Sequence, residues 1–317
     1  MLISIIIPCY NVEDYIEECV HSAFAQTYTH IEVICIDNNS SDGTWLKLQL
    51  LKQHYPQLII DKEPKPGAPA ARNKGLLLAK GDWIQFLDAD DLLLPNKIEH
   101  QVQLIQKQPN AIFIAGATIK RDVEGKETTV IPQEGNPFKS LFITQLGNTC
   151  SNLWNRLYLD KIGGWDETLQ SSQEADLMFR LLQLSEEVII DSKPLTIVRE
   201  RESGQISQGN RTENWARYYN KRQEMVAWLQ QNRPQDYAAD KEFYNDTFFG
   251  ILKIIASKDF KTANQLYKKH FKGRYSPSVH QMHSTSFYLR LHKILGFRMA
   301  EMSRRVLDWM RNKKKTT

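Results

Sequence analysis

The sequence contains no pair of cysteines in C-x-x-C spacing, no apolar run of membrane-spanning length and no charge excess of consequence. Its four cysteines are Cys9, Cys19, Cys35 and Cys150. Three sit inside apolar stretches, where a thiol behaves as a small hydrophobe, so neither a disulfide framework nor a zinc site is expected. A reducing compartment fits. No uninterrupted apolar run approaches the roughly 20 residues needed to cross a bilayer. The opening Met1-Leu2-Ile3-Ser4-Ile5-Ile6-Ile7-Pro8 carries no basic leader and no cleavage signal. It reads as a buried strand instead of a signal peptide, and a cytoplasmic location is expected. Lysine and arginine number 41 against 37 acids, too even a balance for the basic stripe of a nucleic-acid binder.

What is present is an alternation of two periods. Ile3 to Ile7 is an isoleucine-rich run, as in a central strand covered on both faces. Asn11 is placed to cap a helix whose apolar stripe is Val12, Tyr15, Ile16, Cys19, Val20, Ala23 and Phe24. Ile31 to Ile36 is a second strand, ending at Asp37. A polar turn over residues 38–43 leads to a helix carrying Trp45, Leu48, Leu51 and Tyr55. Leu58 to Asp61 is a third strand, residues 67–80 a loop and helix closed by Gly81, and Trp83 to Leu87 a fourth strand. A helix from about Pro95, a strand over Ala111 to Ile119 and a polar hairpin at Glu124-Gly125 follow.

Such alternation predicts a parallel, doubly wound α/β sheet, with ligands beyond the carboxyl ends of its strands. Asp37 and Asp88 both fall there. Asp88-Ala89-Asp90-Asp91 crowds three carboxylates into four positions, an arrangement that needs a cation or solvent to offset its repulsion. Hard divalent ions such as Mg²⁺ or Mn²⁺ take oxygen ligands and share them with phosphates. The competing reading is a helix N-terminus, with Asp90 or Asp91 as its cap.

Four strings then occur in order: Ser4-Ile5-Ile6-Ile7-Pro8-Cys9-Tyr10-Asn11, Ile36-Asp37-Asn38-Asn39-Ser40-Ser41-Asp42-Gly43-Thr44, Ala71-Arg72-Asn73-Lys74-Gly75, and Gly81-Asp82-Trp83-Ile84-Gln85-Phe86-Leu87-Asp88-Ala89-Asp90-Asp91. With them the chain resembles glycosyltransferase family 2, inverting enzymes of the GT-A fold, and weaker matches run to about residue 207. The resemblance implies a mixed, doubly wound GT-A sheet and a nucleotide-sugar donor, a UDP-sugar foremost. It implies that Pro8, Tyr10, Asp37 and Asn38 frame the base and ribose, with Asn38 standing where many relatives have a second acid. Arg72 falls beside the base or phosphates. Asp88 is shared between ribose and metal, and Asp90 is the main ligand of a Mn²⁺ or Mg²⁺ ion on the diphosphate.

The stretch Gln173 to Leu182 resembles the family's acidic motif, which places Glu174 as the general base, one methylene longer than the usual aspartate. Asp176 is the alternative base, or else only an N-terminal acid of its helix. Trp154 and Trp165 either line the acceptor pocket or pack in the core. Arg201 lies in a string resembling the loop over the diphosphate; relatives often have a histidine there, and this chain has none. The acceptor implied is a glycan or lipid-linked hydroxyl in cell-surface polysaccharide synthesis. Two rivals stand beside this reading. A nucleotidyltransferase would carry a glycine-rich phosphate loop after the first strand, which Pro8-Cys9-Tyr10-Asn11 is not. A nucleotide-binding scaffold with impaired catalysis would explain Asn38, Glu174 and the missing histidine.

The character changes near residue 210, giving an expected catalytic domain at 1–209 and a helical extension at 210–317. His280 and His283 read as linker residues. A terminal apolar side of Phe287, Leu291, Ile294, Leu295, Met302, Val306 and Trp309 runs beside Arg304, Arg305, Arg311 and Lys313 to Lys315. It fits either a helix at the inner face of an anionic membrane or a packed helix with a basic end.

Overall fold

The computed structural model describes residues 1–201, 211–273, 275–278 and 286–313. The chain divides into two compact units, Met1–Gly204 and Gln205–Thr317. The cut expected after residue 209 lies outside the described residues, as do His280, His283 and the loop after Arg201.

The first unit opens with β1 (Ile3–Cys9), α1 (Ile16–Phe24), β2 (Ile31–Asp37), α2 (Thr44–His54), β3 (Ile59–Lys62), α3 (Ala68–Leu78) and β4 (Trp83–Phe86). β1 runs parallel to both β2 and β4, and Ile3, Ile5, Ile6, Ile7 and Cys9 are all buried. Helices cover both sides of such a strand, which is why its sequence is apolar without alternation. Gly75 lets α3 lie directly on β1, because a Cβ there would come within 2.3 Å of Ile6 Cγ2. That approach carries Arg72 to the carboxyl end of the sheet.

β5 (Leu92–Leu93), α4 (Lys97–Lys107), β6 (Phe113–Gly116), β7 (Thr118–Arg121), β8 (Glu127–Val130) and α5 (Pro137–Phe142) follow. After them come β9 (Leu153–Asn155), α6 (Arg156–Lys161), α7 (Gln173–Leu182), β10 (Val188–Asp191) and β11 (Thr196–Arg199). The main sheet has the order β10-β6-β9-β4-β1-β2-β3, and a second sheet the order β5-β11-β7-β8. The parallel sheet expected from the alternation is corrected at β9, which is antiparallel to both β4 and β6, so the main sheet is mixed.

Two local expectations are corrected. Asn11 does not cap α1; its backbone is left-handed (φ 49°), and its Oδ1 accepts from the Ser41 amide at 2.8 Å. The single strand expected over residues 111–119 breaks at Ala117, whose amide donates to the Asp191 carbonyl, and its halves join different sheets. The hairpin at Glu124-Gly125 is present between β7 and β8, with Gly125 at φ 83°.

The second unit is helical: α8 (Arg211–Asn232), α9 (Pro234–Ala239), α10 (Lys241–Lys258), α11 (Phe260–His270) and α12 (Ser286–Lys313), the last kinked at Gly296 (φ 77°). Tyr219, Phe248, Phe249, Leu252 and Phe297 form its core. Among the described residues no helix is long and apolar enough to cross a membrane.

Candidate active site

β1 is the point where the strand order turns, with β2 and β3 on one side and β4 on the other. Ligands bind beyond the carboxyl ends of strands at such a point. β4 delivers Asp88, Asp90 and Asp91 there, and β2 delivers Asp37.

Each of the three crowded acids has a different neighbour. Arg72 Nη2 donates to Asp88 Oδ1 at 2.6 Å, and the Asp88 side chain keeps 38% exposure. Arg201 Nε lies 2.6 Å from Asp90 Oδ2. Asp91 is buried, and its Oδ1 accepts from the Arg199 amide at 2.9 Å. Asp91 therefore caps no helix: β5 follows it, and α4 begins after Asn96. Its task is to fasten β11 beneath the site.

The charges are crowded enough to titrate abnormally. Burial, then the charge of Asp88, raises the Asp90 carboxyl above its usual range, against the pull of Arg201. Asp91 is raised well above, by burial and then by Asp88 and Asp90. Burial also pushes up the Cys150 thiol, whose Sγ receives the Asp88 amide at 3.3 Å.

Asp88, Asp91 and Cys150 offer atoms within 4.8 Å of one another. A protonated thiol is a poor ligand for a hard cation, and Asp91 is engaged by Arg199. Carboxylate oxygens from Asp88 and Asp90 suit Mn²⁺ or Mg²⁺ better. Arg72 and Arg201 pair with these two carboxylates, so a cation held there would share them with the guanidiniums.

At the end of β1, Tyr10 is 61% exposed beside the half-buried Pro8. Asp37 is buried, and its Oδ1 has no partner among the described residues. Asn38 is not available to a base edge. Its Nδ2 donates to the Glu63 and Lys65 carbonyls at 2.8 and 2.7 Å, and its Oδ1 accepts from the Gly67 amide at 2.7 Å. This amide binds the turn before α3, and only an amide can donate to two carbonyls and accept from an N–H at once.

On the opposite side, Glu174 lies in the first turn of α7 and its Oε2 accepts from the Thr149 amide and hydroxyl at 3.1 and 3.0 Å. Arg72 Nη1 reaches the adjacent Gln173 Oε1 at 3.3 Å. Residues 149 and 150 thus touch Glu174 and Asp88 in turn, and Arg72 bridges the same two regions. Asp176 points elsewhere. It is buried and paired with Arg180 at 2.7 Å, and that guanidinium also donates to the Ile162 and Gly164 carbonyls.

The two tryptophans present no face to a sugar. Trp154 is wholly buried in β9 against Phe113, at a ring distance of 5.2 Å. Trp165 is buried edge-on to Phe86 and lies 4.6 Å from the Arg72 guanidinium, which it backs. Asn73 holds it there, accepting from the Trp165 amide and donating to its carbonyl, both at 2.9 Å. Gly164 allows this at φ 72°, where a Cβ would meet Asn73 Oδ1 at 2.6 Å.

Four contributors lay outside the sequence reading of the site: Tyr15, Thr149, Gln173 and Arg199. Tyr15 lies under both Arg201 (4.4 Å) and Arg199 (5.4 Å). The Arg199-Glu200-Arg201 string was the available signal for Arg199. Nothing in the local pattern marks Thr149.

Residues 4–161 match the family model described as glycosyl transferase family 2. A putative teichuronic acid biosynthesis glycosyltransferase, TuaG of Bacillus subtilis, is 37% identical over 119 residues, 37% of this chain and 47% of that one. The chain spans between 28% and 64% of the length of the first curated relatives it matches. Among solved structures, S. aureus TarS 1-349 in complex with UDP-GlcNAc superposes with a TM-score of 0.57 at 17% identity, over 96% of this chain and 92% of that one. The mannosyltransferase PcManGT from Pyrobaculum calidifontis, in complex with GDP-Man and Mn²⁺, gives 0.53 at 16%, over 96% and 87%. At such identities the likeness is one of fold. Four motifs in order, the mixed sheet that brings them to one rim and the matched family model converge on one assignment: this chain belongs to glycosyltransferase family 2 and has the GT-A fold.

Proposed function

We propose that the chain moves a sugar, with inversion, from a UDP-sugar or related nucleoside-diphosphate sugar to a hydroxyl of a glycan or lipid-linked acceptor in cell-surface polysaccharide synthesis. The observation that carries this reading is the meeting of Asp88 and Asp90 with Arg72 and Arg201 at the strand-order turn. The names and bound donors of the relatives support it: TuaG for the pathway class, TarS for a UDP-sugar and PcManGT for Mn²⁺. The chemistry lies in residues 1–209, with 210–317 as a separate helical extension. Four buried, unpaired cysteines suit a reducing cytoplasm.

In this reading Tyr10, Pro8 and the unpartnered Oδ1 of Asp37 take the base and ribose. Asp90 and Asp88 hold a Mn²⁺ or Mg²⁺ ion, which supplies charge neutralisation for the leaving diphosphate. Arg72 and Arg201 add fixed positive charge at the same place. Glu174, steadied by Thr149, accepts the proton of the acceptor hydroxyl. The acceptor oxygen bonds to the anomeric carbon from the face opposite the diphosphate, the bond to the diphosphate breaks, and the configuration inverts. Asp176 serves the helix and not the proton.

A panel of UDP-, GDP- and dTDP-sugars with Mn²⁺ tests the proposal through release of nucleoside diphosphate. Release that is lost in Asp90→Asn is the expected result. Pyrophosphate release would instead make the chain a nucleotidyltransferase, and nucleotide binding without turnover would make it a scaffold.

A further inference from the structure

The helix α12 packs one side into its own unit and leaves the other bare. Tyr288, His292, Phe297 and Ala300 are buried, with the ring of Phe249 meeting the first three. Away from that contact Phe287, Ile294, Leu295, Met299 and Met302 are between 44% and 67% exposed. Scattered exposed apolar residues are ordinary on a soluble protein, but five large ones within sixteen residues, on the two arms that meet at Gly296, are not.

The charges among them share one sign. Arg290, Lys293, Arg298 and Arg305 are exposed along the same helix. Glu301 is the one acid among its described side chains; it is fully buried, accepting from the Tyr288 hydroxyl at 2.6 Å and from Arg304. Over its length α12 carries seven arginines and lysines against two acids, in a chain whose whole net charge is +4. Exposed apolar side chains interspersed with cations along both arms of α12 suit the boundary of an anionic lipid leaflet, where the hydrocarbon groups sink between headgroups and the cations meet phosphates. A protein partner would be matched by a more mixed rim of both signs.

We infer that α12 is an interfacial anchor that lies on an anionic membrane surface. This inference is independent of the proposed transfer chemistry, and its test measures binding alone. The whole chain is sedimented with vesicles of phosphatidylglycerol and phosphatidylcholine, and in parallel with pure phosphatidylcholine. It is expected to pellet with the anionic vesicles and not with the neutral ones, and to be released by high salt. I294D/M299D, at two exposed positions, is expected to abolish pelleting with an unchanged circular dichroism spectrum and unchanged nucleotide binding. R298Q/R305Q is expected to weaken binding roughly tenfold or more. Failure to pellet with anionic vesicles would overturn the inference. So would equal pelleting of wild type and I294D/M299D, or a dimer in light scattering that the same variant dissociates.

Discussion

Arg201 holds Asp90 by an Nε–Oδ2 approach of 2.6 Å, with the guanidinium lying 4.4 Å over the ring of Tyr15. The pair is largely shielded from solvent, so each charge depends on the other more than a surface pair would. A cation entering at Asp90 must share the carboxylate with Arg201 or release it toward the diphosphate. Two opposite effects are expected of Arg201→Gln. Affinity for Mn²⁺ alone should rise, as measured by calorimetry, because the competing charge is gone. Turnover of the nucleotide sugar should fall by roughly 10- to 100-fold, the worth of a charge-assisted bond to phosphate. Weakened Mn²⁺ binding in the variant would show that Arg201 supports the metal site instead of competing for it.

Glu174 and Asp176 separate a chemical role from a structural one within a single helical turn. Glu174→Gln keeps the contacts to Thr149 within reach and should reduce turnover by about a thousandfold or more, with donor affinity unchanged. Asp176→Asn strips Arg180 of its buried partner and should cost about 3 kcal/mol of stability in denaturant unfolding, while the surviving folded enzyme retains most of its turnover. Reversal of those two outcomes would move the base to Asp176.

The first ninety residues were the most legible part of the chain because their elements are local. β1 and most of β2 are buried on both faces, and their isoleucine-rich runs announce that. Asp37 and Asp88 could be placed at strand ends from the same runs. Beyond its β7–β8 hairpin the second sheet was not legible, since β5 has two residues and β11 four, and Ile197 of β11 pairs with Ile119 and Leu92, both remote in sequence. For the same reason Asp91 looked like a helix cap: its partner, the Arg199 amide, is remote in sequence. Trp154 and Trp165 could not be sorted between core and pocket, because an aromatic residue satisfies either until its neighbours are known. Asn11 was misread because a left-handed backbone leaves no periodic trace, although asparagine is among the residues that tolerate it.

Asn38 gives a third test. Its amide donates to two carbonyls and accepts one N–H, so Asn38→Asp would set a carboxylate against the Glu63 and Lys65 oxygens. About 3 kcal/mol of stability should be lost at neutral pH, and part of it regained in acid as the new carboxyl protonates and recovers one donor. If Asn38→Asp were as stable as the wild type at neutral pH, the turn before α3 would not depend on the amide.

Lys97 supplies the pH-dependent test. It is almost fully buried, and its Nζ has no hydrogen-bond partner among the described residues. Burial lowers its pKa to about 7, against the opposing charge of Asp191. Asp191 itself is held by His100 at 3.0 Å and by Gln101 at 3.1 Å, so it does not rely on the lysine. Between pH 7 and the ordinary lysine range the folded chain binds fewer protons than the unfolded one, and stability must therefore rise with pH across that window. Below it both states are charged, and the folded state bears the full cost of a buried ammonium. Lys97→Met is accordingly expected to be more stable than the wild type below pH 7, by an amount on the order of a few kcal/mol. The two unfolding curves should converge as pH approaches 10. A variant less stable than the wild type at every pH would mean that the ammonium is a stabilising partner of Asp191, and that the pair beneath the sheet acts as a salt bridge.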